Sequence, residues 1–156
     1  MKKGIFVLFS ALFCVLSACG GENGAQQELQ RIEKALDLDL SGGTLERFED
    51  SHGGFHGDGL TAAEVTVEGL VEELANAGGW RPLPMSDSTA QAIRLCEAEE
   101  ETVEETAEGF YYFYDRHSEC EDPYDSTQMH SRFSYNFTMA VYDNGNGRLY
   151  FYELDT

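Results

Sequence analysis

Apolar and polar residues alternate with a period of two along the last third of the chain. Between residues 132 and 143, Phe133, Tyr135, Phe137, Met139 and Val141 fall on one side, and Ser134, Asn136, Thr138, Ala140 and Tyr142 on the other. Successive side chains of a strand point to opposite faces, so this stretch predicts a strand. Asn144-Gly145-Asn146-Gly147 supplies residues that enter a tight hairpin turn at little cost, and residues 148–154 return as the partner strand. Residues 110–117 predict an aromatic strand, bulky on both sides. Strands near 44–50 and 60–67 flank a Gly-rich stretch, which suggests a second hairpin.

Helical spacing appears elsewhere. Leu29, Ile32 and Leu36 make one face of a helix over 26–37, and Leu70, Val71 and Leu74 a stripe over 68–77 that Gly78-Gly79 stops. Ser88 and Gln91 match a capping box for a helix running to residue 96. Residues 80–85 read as an extended connector, because Pro82 and Pro84 forbid both a helix and a central strand. Seven glutamates without a base in residues 97–108 read as a frayed helix end or a solvated loop. The sum is an α+β domain over residues 28–156. It has an antiparallel sheet of four or five strands, with two or three short helices on one face. The last strand is expected at a sheet edge, open to strand addition.

The first residues follow a different logic. Lys2 and Lys3 precede an apolar run over residues 5–16, then Ser17 and Ala18. Basic, apolar and small segments in that order make a secretory signal peptide. About 12 apolar residues span only ~18 Å of helix, short of a ~30 Å hydrocarbon core, so a lasting membrane span is the weaker reading. Leu16-Ser17-Ala18-Cys19 resembles the lipobox of bacterial lipoproteins. The resemblance implies cleavage before Cys19, diacylglyceryl attachment to its thiol and a chain anchored on the outside of the cell membrane. Residues 1–18 would then be the signal peptide and 19–27 a Gly-rich flexible tether.

Charge narrows the partners. The 156 residues carry a formal net charge of -19, and removal of residues 1–18 takes two lysines and no acid, leaving -21 on 138 residues. Such a surface repels phosphate backbones and anionic headgroups, so nucleic acid is excluded and the lipid must hold the protein at the membrane. Another cell-surface protein is a fitting partner, since tyrosine suits interfaces.

Residues 52–59 (HGGFHGDG) are the most distinctive. His52, His56 and Asp58 are ligand types for zinc or another divalent metal, and a Gly-rich loop can fold them inward. Four glycines argue against the helix that makes His-x-x-x-His chelating, which favours a simple turn. Of four cysteines, Cys96 and Cys120 remain after signal removal and lipidation. They stand either as a disulfide or as separate buried thiols. His117 or His130 could serve one of these cysteines as a base, without a supporting motif. Asp115, Asp122 and Asp125 flank a loop and could hold a weak calcium.

Residues 50–59, Trp80-Arg81-Pro82-Leu83-Pro84, Arg132-Phe133-Ser134-Tyr135-Asn136-Phe137 and Tyr150-Phe151-Tyr152-Glu153-Leu154 resemble small lipoproteins and secreted proteins of Gram-positive bacteria. That group has no established activity, so no functional residue carries over. No nucleophile elbow, cofactor fingerprint or complete metal motif occurs in the sequence. The expectation is a non-catalytic, membrane-tethered binding or interaction module with no cofactor. The alternative is a metal-dependent protein using His52, His56 and Asp58.

Overall fold

A computed structural model of the chain describes residues 22–53, 57–96, 106 and 108–156. Its elements in order are α1 (Glu22–Leu36), β1 (Thr44–Asp50), β2 (Gly59–Thr66), α2 (Val71–Leu74), β3 (Trp80–Pro82), α3 (Asp87–Arg94), β4 (Gly109–Asp115), a 3-10 helix (Ser126–Ser131), β5 (Asn136–Asp143) and β6 (Arg148–Asp155). The strands form one six-stranded sheet of order β1-β2-β6-β5-β4-β3. Every neighbouring pair is antiparallel.

The α+β class is present, both expected hairpins form, and the five expected strands are found, though β5 begins at Asn136 and leaves residues 132–135, Phe133 among them, outside it. The sixth strand is β3, inside the proline-containing connector. Pro82 cannot donate to a ladder, but β3 lies at the sheet edge, where that donor is not needed. β6 was expected at an edge and instead lies between β2 and β5. Its alternation of buried positions on both sides fits a central strand, as Leu149, Phe151 and Tyr152 are all buried.

The helices do not share one face. Leu29, Ile32 and Leu36 of α1 and Leu74 of α2 pack on Ala63, Val65, Tyr112, Ala140, Leu149 and Phe151. Ala92 and Ile93 of α3, with Met129 of the 3-10 helix, cover Tyr111, Phe113, Phe137, Met139, Val141 and Tyr152 on the other face. Strands as bulky on both sides as β4 and β5 need cover on both. Burying a side chain of Phe or Leu size is worth about 1.5–3 kcal/mol.

Other boundaries shift locally. α1 starts at Glu22, so residues 22–27 are helical rather than tether. α3 is capped by Ser86, whose side chain accepts from the Thr89 N–H, two residues before the expected Ser88. α2 stops at Leu74. Gly79 has φ of 85°, and a Cβ there would overlap the Tyr124 ring, so it is a close-packing glycine rather than a helix cap. Most of residues 97–108 lie outside the described residues.

Candidate functional site

Strand register brings one set of chain ends together. Asp50 pairs with Thr61, Thr61 with Glu153, Glu153 with Thr138, and Asp155 with Asn136. The ends of β1, β4 and β6 therefore meet the beginnings of β2 and β5, and α1 lays Arg31 across them.

His52 is the hub. Its backbone N–H donates to Asp50 Oδ1 at 2.9 Å, and its Nδ1 lies 2.7 Å from the same oxygen. Nε2 lies 3.2 Å from Asp155 Oδ2, and Thr61 Oγ1 is 3.2 Å from Nδ1. Gly59 permits this approach, because a Cβ there would stand 2.5 Å from His52 Cα and 2.6 Å from His52 N. Arg31 donates to Asp50 Oδ2 at 3.2 Å, to Glu153 Oε2 at 2.9 Å and to Thr61 Oγ1 at 3.2 Å. Arg116 donates to Asp155 Oδ2 at 3.1 Å and to the Phe137 carbonyl at 3.2 Å. Burial pushes the Asp50 carboxyl up. The His52 N–H, the His52 ring and Arg31 outweigh that and hold it below its ordinary value.

A second pair closes the same end. Asp115 is buried, bonds the Arg132 guanidinium, and accepts from the His117 N–H at 3.0 Å. The Cys120 thiol is in hydrogen-bond contact with this pair. Burial raises its pKa, with Arg132 opposing and Asp115 adding to the rise. That is the reverse of what an activated nucleophile requires.

A bound metal needs lone pairs converging on one point. Here the His52 ring lies between two carboxylates, one at each nitrogen. Among the described residues no group of three His, Cys, Asp or Glu side chains is placed to hold an ion. His52 joins Asp50 and Asp155; Asp58 stands exposed in the turn, and His56 lies outside the described residues. Cys96 is buried under α3, where its Sγ donates to the Ala92 carbonyl, and Cys120 is half-buried in the loop after β4; both are thiols. Asp122 and Asp125 accept from the Tyr124 and Thr127 N–H groups, and Asp115 is engaged with Arg132, so the three serve separate local contacts. His130 bonds the Ser88 carbonyl and His117 accepts from the Glu119 N–H.

Asp50 adjoins the histidine segment in sequence and was visible there. Arg31, Arg116, Glu153 and Asp155 were not, because only the pairing of β2 with β6, that of β4 with β5 and β5 with β6, and the path of α1 bring them in. A hollow of about 500 Å³ between α1 and α2, lined by Leu36, Asp37, Glu72, Glu73, Asn76, Ala77 and Gly78, lies apart from this network. A scan against protein-family models finds no match, and no curated protein or solved structure matches the chain.

Proposed function

We propose that this chain is an extracytoplasmic lipoprotein, anchored through Cys19 to the outer side of the cell membrane, whose domain is a non-catalytic binding or interaction module. The observation that carries the reading is Leu16-Ser17-Ala18-Cys19, in register behind a basic and then an apolar segment. Two or more acyl chains anchor stably where one is marginal. The non-catalytic half is supported by the sheet-end network. Its histidine, arginines and carboxylates bond one another and hold chain ends together. A general base or metal ligand needs a lone pair aimed at a substrate or ion instead.

Detergent-phase partitioning tests the anchor. The intact protein should enter the detergent phase and Cys19→Ser should not; equal behaviour of the two removes the reading. Hydrolysis of ester, phosphoester, peptide and glycoside panels should stay at background. Turnover that vanishes in His52→Ala would replace the module with a catalytic site.

A further inference from the structure

The position of α1 relative to the sheet says which end of the domain faces the bilayer. At its C-terminal side the chain reaches Leu40, whose carbonyl accepts from Gly43, and Gly43 packs against Val65 and Val67 at the end of β2. Arg31 lies over the opposite end, on Asp50, Thr61 and Glu153. Glu22 is nine residues before Arg31, about 13 Å further along the helix axis. The N-terminal turns therefore extend toward and past the His52 end, and among the described side chains of α1 the first buried one is Leu29. Three residue steps from Cys19 to Glu22 span at most about 11 Å.

At that same end stands Phe133, the most exposed large hydrophobic residue described, at 109%, against 45% for Leu95 and 42% for Val71. It is held from both sides. Arg132 is tied to buried Asp115, while Tyr135 N–H donates to Thr156 Oγ1 at 2.8 Å and Tyr135 O accepts from Thr156 N–H at 2.9 Å. An aromatic side chain without cover, on a segment pinned on either side, gives no packing to the fold.

We infer that Phe133 is a lipid-contacting residue, which enters the headgroup–acyl boundary and orients the anchored domain with its His52 end toward the membrane. The inference rests on anchoring at Cys19. A chain this acidic gains nothing from headgroup charge, so the contact that fixes its orientation has to be apolar. The 144–147 turn and α2 then point away from the bilayer, toward whatever the module meets.

The test uses the lipidated full chain on phosphatidylcholine vesicles with brominated acyl chains. Trp80 is buried, so tryptophans introduced as Phe133→Trp and, at the opposite end, Val71→Trp report as differences from the parent. Flotation of the lipidated protein but not of Cys19→Ser establishes the anchor independently. In floating protein, Phe133→Trp should shift to shorter wavelength and be quenched several-fold more than Val71→Trp. Equal quenching, stronger quenching at position 71, or none at 133 would overturn the inference while leaving the anchor standing. Failure of the lipidated protein to float would remove the anchor and the inference together.

Discussion

At one end of the sheet, side chains from five separate segments are joined by charge: Arg31 to Asp50 and Glu153, His52 to Asp50 and Asp155, Arg116 to Asp155, and Arg132 to Asp115. At the other end the closure is made mainly by backbone and apolar contact. Val67 N–H donates to the Gly147 carbonyl at 2.8 Å, Tyr142 OH donates to the Val67 carbonyl at 3.1 Å, and the β5–β6 turn is internally bonded. The ion pair there joins Arg148 to Glu64. The second end has the short 144–147 turn, which satisfies its own backbone. The first gathers the β1–β2 loop, the β4–β5 loop and the end of β6, whose segments are joined through side chains.

Removing one partner of the buried pair should have the largest effect. Arg132→Met leaves Asp115, whose side chain is 1% exposed, charged and without its guanidinium. Breaking such a pair costs about 3–5 kcal/mol. Urea unfolding reads this as a fall in midpoint at unchanged slope. A cost under about 1 kcal/mol would mean that charge does not hold this end.

Next comes Gly59→Ala. The added Cβ would meet His52 backbone, which cannot move as cheaply as a side-chain tip. Overpacking of this kind costs about 1–3 kcal/mol. The loss of stability should come with loss of the His52–Asp155 contact, visible as a change in the His52 ring resonances. At the opposite end Tyr142→Phe deletes the hydroxyl that donates to Val67 O and should cost about 1 kcal/mol. Burial raises the Tyr142 pKa, so the phenol stays a donor through neutral pH. If Tyr142→Phe proved costlier than Arg132→Met, the contrast between the ends would be reversed.

How much of this was legible depended on whether the cause was local. The β5–β6 hairpin was readable because Phe137, Met139 and Val141 alternate with Thr138, Ala140 and Tyr142 right up to a turn that chooses its own residues. β3 was not, because three residues beside prolines carry no period, and only an edge position makes Pro82 acceptable. Helices were expected on one face although Tyr111 and Phe113 lie opposite Tyr112 and Tyr114; the second face's cover, and which helix takes which face, is a matter of tertiary path. Of the network, Asp50 and His52 were local. Arg31 reaches Asp50 from 19 residues away and Asp155 reaches His52 from 103, through a helix path and strand pairings that periodicity does not specify.

Acid should open the charged end first, with the smallest effect of the series. The Asp50 carboxyl is held below its ordinary value, so its contribution is present in full above the unfolded carboxylate value of about 3.9 and is lost as pH falls through the lower folded one. The Asp50 side chain is 31% exposed, so solvent screens much of what its bonds contribute. Amide exchange followed from neutral pH downward should therefore show Ser51 and Leu60, which are bonded across the mouth of the β1–β2 hairpin, losing protection before Val67 and Gly147 at the other end. Asp39 is also held low, by Ser41, but that bond lies within one exposed turn and joins no separate segments. Its protonation should leave the second end closed. Simultaneous loss of protection at both ends would show that the sheet opens as one unit, and that the two closures differ in composition without differing in stability.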